Sequence, residues 1–415
     1  MRLSATALLT LALALPAQAA DPGPSGYASQ GLCAGYPAID LTVPAGWCAG
    51  LVADARDGLR MPRRLIEVAP HCFWIIDMGN WEPRRGRLLE LRTDIAPGQP
   101  GRMTVLASGL DRPHGLVMGP DGQVYVGEAG TLWRTRPADL ALGPLQREVL
   151  KAGLPADGAH PLKELAFAPD GRLLVNLGSA TDACRSDGPV QTQPVPCPEL
   201  QGPQPRAAVY QARVGAAGLE GWAPLATGLR NSLGLAGTRA ADGTVRLWQA
   251  ENSVDYTDAT LPAEELNELV PGASFGWPYC VSDARGRSVA TRGYEGRATC
   301  SEHRAPHAAW PAHAAPLQLL AVPATDAATP PDSPWHGRLL AVWHGYRDVG
   351  HRVTGWALGA DGRPTGARQD LVAGWQAAPG VRPRGTPAGI TLDHLNRLWI
   401  VEDRNRTVIV VAPRP

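Results

Sequence analysis

The sequence is poor in lysine and carries no excess charge of either sign. Among its 415 residues, 39 Lys and Arg side chains balance 39 Asp and Glu side chains, so the formal net charge is zero. Lys151 and Lys163 are the only lysines, and arginine supplies nearly all the positive charge. Because a balanced chain offers no strongly basic surface, we expect neither nucleic acid nor an anionic membrane as a partner.

Several common enzyme and metal motifs are also missing. The sequence contains no Walker-type phosphate loop and no G-x-G-x-x-G dinucleotide fingerprint. No two cysteines have the C-x-x-C spacing, which excludes covalent attachment of a c-type haem and the usual zinc ribbons. The sequence therefore does not predict a Rossmann fold, a phosphate-loop enzyme or a zinc-ribbon protein.

Long apolar runs are scarce, and the clearest one lies at the N-terminus, over residues 8–15. This run is too short to span a bilayer. The A-Q-A tripeptide at 17–19 follows it and is typical of a signal-peptide cleavage site. We therefore expect residues 1–19 to be a cleaved signal peptide, and the mature protein to be periplasmic or secreted without a membrane span.

The sequence has few cysteines, and export permits disulfides. Of the seven, six form couples that are close in sequence, namely Cys33/Cys48, Cys184/Cys197 and Cys280/Cys300. Sequence alone allows other pairings, but local pairing is the simplest. The remaining Cys72 lies in the apolar segment CFWII and is predicted to be a buried free thiol.

A repeated pattern organises the rest of the chain. Pairs of short apolar segments, joined by turns that are often rich in Pro, Asp and Gly, begin near residues 65, 116, 165, 233, 317 and 390. These are hairpin signals, and their spacing is typical of propeller blades with loops of different length. We predict an all-β, six-bladed β-propeller over residues 60–415, with long inter-strand loop insertions near 179–206, 253–272 and 279–315. Residues 20–59 are predicted to be an N-terminal extension with a disulfide, and a β-sandwich or two smaller β domains are the alternatives.

Polar residues at the ends of the predicted hairpins are candidates for a site, because propeller loops surround a central channel. His160 precedes a hairpin and has the position of a general base, although a loop histidine near solvent is the simpler interpretation. Arg230 and Asn231 offer a planar cation and an amide to a ligand with carboxylates. An arginine that only ties down a loop explains the pair equally well.

Two further features are less specific. Oxygen-rich side chains crowd the segments 251–258 and 264–267, which suits calcium, but the spacing is not that of an EF-hand and a solvated acidic turn is the alternative. His344, Arg347 and Arg384 add cationic groups near two later hairpins. Several such groups aimed at one channel would form an anion site.

The order of these segments resembles the soluble quinoprotein sugar dehydrogenases, the glucose/sorbosone dehydrogenase family, over about residues 60–411. The most specific matches are GLRNSLGLA at 228–236, the segment 250–280, and HPLKELAFAPDGRLLVNLGSATDAC at 160–184. GSATD at 178–182 is similar to the sorbosone dehydrogenase branch. The resemblance implies a propeller that uses pyrroloquinoline quinone (PQQ) and calcium to oxidise an aldose or a sugar aldehyde by hydride transfer.

The resemblance also implies a role for individual residues. His160 would be the catalytic base. The residues implied to contact the cofactor are Arg230, Asn231, Lys163, Arg347 and Arg384. The residues implied to form the calcium-binding turn are Ser253, Val254 and Asp255. The implied partners are a small sugar and a separate electron acceptor.

The sequence departs from the family pattern where the cofactor would be contacted. Pro161, Leu162 and Lys163 follow the histidine, HGYRDV stands at 344–349, and Thr386 replaces an arginine. Two alternatives therefore stay open. One is a non-redox propeller that binds a sugar or another small ligand, and the other is a calcium-dependent hydrolase similar to lactonases.

Overall fold

The fold is known from a computed structural model that describes residues 27, 29–93, 101–185, 194–326, 328–375 and 385–414. The predicted signal peptide lies outside the described residues. The strands in chain order are β1 (Ser29–Cys33), β2 (Tyr36–Ile39), β3 (Trp47–Ala53), β4 (Pro62–Ala69), β5 (Cys72–Asp77), β6 (Gly86–Arg92), β7 (Arg102–Leu110), β8 (Gly115–Met118), β9 (Val124–Gly127), β10 (Thr131–Thr135), β11 (Glu148–Ala152), β12 (Leu165–Phe167), β13 (Leu173–Leu177), β14 (Ala208–Gly215), β15 (Gly218–Thr227), β16 (Gly234–Arg239), β17 (Val245–Glu251), β18 (Glu264–Leu269), β19 (Cys280–Ser282), β20 (Ser288–Ala290), β21 (Ala308–Trp310), β22 (Pro316–Val322), β23 (Arg338–Trp343), β24 (Arg352–Leu358), β25 (Pro364–Val372), β26 (Pro387–Leu392), β27 (Leu398–Glu402) and β28 (Thr407–Pro413). The helices are short 3-10 turns at Ala55–Asp57, Pro137–Leu142, Pro198–Leu200 and Cys300–Glu302. Within the described residues, no helix has the length and apolar character needed to cross a membrane.

The strands form six antiparallel blades around a central channel. The blades are β4–β7, β8–β11, β12–β15, β16–β18 with β21, β22–β25, and β26–β28 with β3. Their first strands, β4, β8, β12, β16, β22 and β26, contact one another in a closed ring and line the channel. The prediction of an all-β, six-bladed propeller is confirmed, and each predicted hairpin start lies in one of these first strands or one residue before it.

Asp-Gly turns explain why the hairpins were visible in the sequence. Asp121 and Asp170 each accept a hydrogen bond from the backbone N–H two residues later, at 3.1 and 3.2 Å. The following Gly122 and Gly171 have φ angles of +70° and +82°. Glycine adopts this left-handed conformation without a steric penalty, so the turn specifies both residues.

The core lies between neighbouring blades, which pack face to face through large apolar side chains. Phe73 of the first blade lies against Trp399 of the last, with ring centroids 4.1 Å apart, and both are fully buried. Trp310 and Trp356 stack between the fourth and fifth blades at 5.0 Å. All six residues of β5 are buried, including the predicted free thiol of Cys72. Strands covered on both faces read as continuous apolar runs rather than as alternating patterns.

The N-terminal segment belongs to the last blade rather than preceding the propeller. β3 pairs antiparallel with β28, and β1 and β2 continue the same sheet. The ring is therefore closed by strands from opposite ends of the chain. We predicted residues 20–59 to be an extension because β3 pairs with a strand hundreds of residues away, and such a pair produces no hairpin pattern in the sequence.

The loop insertions are shorter than the sequence suggested. The segment 253–272 includes β18, the third strand of the fourth blade, and 279–315 includes the outer strand β21 and the hairpin β19–β20. The acidic sequence of β18 resembles a loop, but Glu264 and Glu265 are both buried. The predicted disulfides are confirmed as Cys33–Cys48, Cys184–Cys197 and Cys280–Cys300, and the last two staple the loops of the third and fourth blades.

Candidate active site

A cavity of about 460 Å³ opens at one end of the channel. Loops that precede β12 and β16, or that follow β17 and β23, contribute much of its wall. The loops at one face of a propeller converge on the channel mouth, so residues far apart in sequence meet there. Seven of the ten residues singled out by the sequence line this cavity, namely His160, Arg230, Asn231, Ser253, Asp255, His344 and Arg347.

His160 is a buried imidazole at the cavity wall, with only 8% of the residue exposed. Its Nδ1 lies 3.0 Å from the carbonyl oxygen and 2.9 Å from the Oγ of Ser179. Donation from Nδ1 to the carbonyl leaves Nε2 as the unprotonated ring nitrogen. Burial, aided by the nearby guanidinium of Arg230, lowers the pKa of His160 to about 3. The imidazole is therefore neutral around neutral pH and can accept a proton.

Arg230 is buried beside His160, and its guanidinium is held on several sides. Its Nη2 pairs with Asp182 at 2.8 Å and with Asp255 at 2.7 Å. Its Nη1 donates to the carbonyl oxygen of Asn252 at 3.1 Å. The Asp182 and Asp255 side chains are 40% and 84% exposed, so water screens both ion pairs. Arg230 thus both fixes its loop and lies in the cavity wall.

Glu264 gives the same wall a buried carboxyl group. It accepts hydrogen bonds from the backbone N–H groups of Ser253 at 2.6 Å and Ala315 at 3.3 Å. Burial raises the pKa of Glu264 to about 8, and these bonds together with Arg230 offset only part of that effect. A cation near this wall would stabilise the ionised carboxylate.

The mouth of the cavity is marked by exposed side chains. Trp81 and Tyr346 are 55% and 68% exposed, respectively. Arg347 is also exposed, and its Nη2 reaches the carbonyl oxygen of Thr257 at 3.4 Å. The mouth therefore combines two aromatic rings with a weakly held cation.

Three predicted residues do not add a side chain to this cavity within the described structure. The Lys163 ammonium donates instead to the carbonyl oxygens of Pro155 at 2.8 Å and Pro161 at 2.6 Å, and burial lowers its pKa to about 7. The Val254 side chain packs in an apolar cluster with the Cys184–Cys197 disulfide, which leaves only its backbone for a ligand. Arg384 lies outside the described residues.

Arg63 and Asp403 also line the cavity, and the sequence did not single them out. Arg63 pairs with Asp403, and the Nε2 of His344 lies 3.0 Å from both carboxylate oxygens. Burial opposes ionisation, but His344 and Arg63 hold the pKa of Asp403 well below its usual range. The available signal was positional, because Arg63 lies in a first strand and Asp403 directly follows a second strand.

A buried charged cluster closes the channel next to the cavity. We call Arg64, His114 and Glu164 the hub. Arg64 donates to Glu164 at 2.6 Å, and the Nε2 of His114 lies 3.2 Å from the same carboxylate. The Nη2 of Arg64 that donates to Glu164 also lies within hydrogen-bond distance of the carbonyl oxygens of Leu233 and Leu317, and Nη1 donates to the carbonyl oxygen of Ala388. These six residues come from the six blades in order, so one guanidinium connects the whole ring.

A serine pattern elsewhere does not form a second catalytic site of the hydrolase type. Residues 272–276 read G-A-S-F-G, the spacing of a nucleophile turn in serine hydrolases. Ser274 Oγ lies 3.1 Å from the Nδ1 of His303. The segment joins β18 to β19 without the following helix that such a turn requires, and Ser274 is not part of the cavity wall.

Comparison with known proteins identifies the fold. No protein-family model and no curated protein matches the sequence. The structure described as the calcium structure of Trichoderma reesei carbohydrate-active enzymes family AA12 has a TM-score of 0.71 at 19% identity and covers 93% of this chain and 99% of that chain. The holo pyranose dehydrogenase PQQ domain from Coprinopsis cinerea has a TM-score of 0.68 at 19% identity, with coverages of 91% and 99%. The soluble aldose sugar dehydrogenase from Escherichia coli in its apo form has a TM-score of 0.59 at 14% identity, with coverages of 90% and 100%. The chain shares the fold of these propellers across nearly their whole length.

Proposed function

We propose that this chain is an exported quinoprotein that oxidises an aldose or a sugar aldehyde, with PQQ as redox cofactor and calcium as metal ion. The fold similarity to a pyranose dehydrogenase PQQ domain and to an aldose sugar dehydrogenase supports the class of reaction. The convergence of the motif residues on one cavity supports its location. The resemblance of GSATD at 178–182 favours a substrate similar to sorbosone, and the A-Q-A tripeptide at 17–19 favours export.

The observation that carries the proposal is the state of His160. A neutral base within hydrogen-bond reach of a hydroxyl group accelerates the removal of its proton. The bond from Nδ1 to Ser179 fixes the ring and leaves Nε2 to accept that proton. An anionic ligand in the cavity would raise the pKa of His160 from about 3 toward the working pH, because negative charge favours the imidazolium form.

The donor set around His160 fits a flat cofactor with several carboxylates. Arg230 offers a guanidinium whose acidic partners are partly or largely exposed. The side-chain amide of Asn231 has no hydrogen-bond partner among the described residues, and the exposed cation Arg347 lines the same cavity. Arginine forks and amides suit carboxylate and carbonyl oxygens. PQQ, when bound, supplies the acceptor for the hydride that leaves the sugar carbon.

The turn beside Arg230 offers the ligands that calcium prefers. The backbone carbonyl oxygens of Ser253 and Val254 and the carboxylate of Asp255 are hard oxygen donors. The nearby carboxyl group of Glu264, with its raised pKa, is stabilised in its ionised form by a cation. Calcium, when bound, supplies a Lewis acid for an oxygen of the cofactor.

The residues of the chain then have separate tasks. The Nε2 of His160 takes the hydroxyl proton, and Ser179 keeps the ring in place. Arg230 and Asn231 orient the ligand at the wall. The buried side chains of Leu162, Leu233 and Leu317 also line the cavity and exclude water from the end nearest the hub. The electrons pass afterwards to a separate acceptor.

Reconstitution tests the proposal. The mature chain, purified without cofactor, is supplied with PQQ and calcium, and reduction of a dye is followed with a panel of aldoses and sorbosone. We expect activity to require both additions, and the His160→Ala variant to lose about 10²- to 10⁴-fold in kcat. His336→Ala is the matched control. The Nδ1 of His336 lies 3.1 Å from the carbonyl oxygen of Thr329, and His336 does not line the cavity, so this variant should retain full activity.

The alternative is a non-redox propeller that binds a sugar or another small ligand. It draws support from Arg230, because each nitrogen of its guanidinium already has a partner without any ligand. Titration of PQQ absorbance separates the two functions. If the PQQ spectrum does not change on addition of the protein, with or without calcium, the quinoprotein proposal is wrong. Sugar binding measured by calorimetry in the same sample would support the alternative.

A further inference from the structure

A second concave surface adjoins the cavity and extends it along the face of the propeller. Its volume is about 780 Å³, and its lining residues are Arg60, Met61, Gly79, Tyr346, Asp403, Arg404 and Arg406. Met61, Tyr346 and Asp403 line the cavity as well. We call this surface the arginine groove. A ligand whose reacting end occupies the cavity would therefore lay its remaining part in the groove.

Two arginines of the groove, Arg60 and Arg406, carry positive charge that the described residues do not neutralise. The one carboxylate in the groove lining, Asp403, is already bound to Arg63 and His344. No described carboxylate lies within ion-pair distance of the Arg60 or Arg406 side chains. This excess is local, because the complete chain has no net charge.

Arginines at the hairpin turns show that pairing is the common pattern in this chain. Arg172 pairs with Asp170 at 2.8 Å, and Arg397 pairs with Asp393 at 2.6 Å. Arg363 likewise pairs with the nearby Asp361 at 3.1 Å. Arg60 and Arg406 have no such carboxylate partner among the described residues. An excess of cations at one concave surface attracts anionic ligands.

Aromatic rings accompany these cations. Tyr346 is 68% exposed, and the Arg404 guanidinium carbon lies 5.2 Å from the centre of its ring. Trp81 is 55% exposed and belongs to the adjoining cavity wall. Large exposed aromatic groups rimmed by charge mark binding sites, because their faces bury apolar C–H surface. The faces of sugar rings present such surface, and carboxylates on those sugars would meet the arginines.

We propose that the arginine groove binds the non-reacting part of an anionic sugar, an oligosaccharide that carries carboxylates of the uronic acid type. This inference rests on the proposed function, because it assigns a substrate class to the same site. The concave shape and its continuity with the cavity favour a sugar chain over an acidic protein acceptor. Guanidinium groups recognise carboxylates through paired hydrogen bonds, so Arg60 and Arg406 would select charged sugars over neutral ones.

Calorimetry on the full chain tests the inference without any redox step. Trigalacturonate and the neutral maltotriose are titrated into the protein, without PQQ, at low and high salt. We expect trigalacturonate to bind at least about tenfold more tightly at low salt, and high salt to remove most of that preference. Arg406→Gln should weaken trigalacturonate about fivefold and leave maltotriose unchanged. Arg285→Gln is the matched control, because Arg285 is exposed on the β19–β20 turn outside the groove.

The outcomes separate this inference from the proposed function. Equal binding of the two sugars, or equal effects of Arg406→Gln and Arg285→Gln, would overturn the groove assignment even if dye reduction with neutral aldoses is high. Charge-selective binding that depends on Arg406 would support the assignment even if PQQ is never bound. If Arg406→Gln leaves trigalacturonate binding unchanged but slows electron transfer to an acidic carrier protein, the groove belongs to the acceptor and the inference is wrong.

Discussion

The hub and the cavity lie next to each other in one channel and use the same kinds of side chain. In the hub, the nitrogen and oxygen atoms of Arg64, His114 and Glu164 all have partners within the described structure. In the cavity, Ser179 engages the Nδ1 of His160, and the Nε2 has no hydrogen-bond partner among the described residues. The same kinds of side chain therefore hold the blades together in the hub and remain available for a reaction in the cavity.

The difference follows from the elements that carry the residues. The hub partners lie in the first strands or directly before them, where neighbouring blades hold the backbone on both sides. Arg230 and Asp255 lie in longer loops, and 84% of the Asp255 side chain is exposed. Strands can satisfy a buried charge completely, whereas loops at a channel mouth leave polar atoms for solvent or ligand.

The largest expected effect comes from breaking the hub. Arg64→Leu should lower the free energy of unfolding by about 3 to 5 kcal/mol, because it leaves Glu164 buried without its cation and removes donors from carbonyl groups of three blades. Denaturant unfolding followed by tryptophan fluorescence measures this loss.

The double variant Arg64→Leu/Glu164→Leu sharpens the same point. It removes both charges, so it should be less destabilised than Arg64→Leu alone if the unpaired carboxylate is the main cost. A double variant that is as unstable as the sum of the two single variants would show that the charges act independently. That result would contradict the description of the hub as one unit.

An intermediate effect is expected from the disulfide that secures the cavity loop. Replacing Cys184 and Cys197 by serine should lower the free energy of unfolding by about 2 to 3 kcal/mol and also weaken binding of the proposed cofactor, PQQ. The second effect arises because the neighbouring Asp182 holds Arg230 through its carboxylate and its carbonyl oxygen.

The Cys33–Cys48 bridge is the matched control for this disulfide. Its sequence separation is 15, against 13 for Cys184–Cys197, but it links β1, the edge strand of the last blade's sheet, to β3. Serine variants there should cost similar stability and leave ligand affinity unchanged. Equal losses of affinity in both double variants would mean that the cavity depends on global stability rather than on its own loop.

The smallest effect concerns protonation in the cavity. Arg230→Gln removes a nearby cation and should raise the midpoint of His160 titration by on the order of one pH unit from its value of about 3. NMR of the imidazole measures the midpoint without requiring activity. Arg206→Gln is the control, since Arg206 contributes less to the lowered pKa and should produce a smaller change. An unchanged midpoint in Arg230→Gln would show that burial alone sets this pKa.

The lowered pKa of His160 also predicts a direction for acid stability. Between pH 6.5 and about 3, the unfolded chain binds a proton at this histidine that the folded chain does not. Stability should therefore fall as the pH falls through this range. His160→Gln removes this contribution and should flatten the acid side of the stability profile.

Much of the fold was readable from the sequence because propeller hairpins are local. Turns such as Pro120-Asp121-Gly122 specify their own geometry, so six hairpin starts and three local disulfides were predicted correctly. β18 was missed because its glutamates look like a loop until burial is known. β3 was missed because its partner, β28, is at the other end of the chain.

For the candidate site, too, local features could be predicted from the sequence and long-range contacts could not. Sequence by itself determined which residue types lie at the hairpin ends, because turn chemistry and repeat spacing are local properties. Only the tertiary structure decided that His160, Arg230 and Arg347 share one cavity, that Lys163 is used by backbone carbonyls, and that Asp403 joins Arg63. Closure of the ring makes these contacts, and closure depends on packing between blades, which no single segment of the sequence encodes.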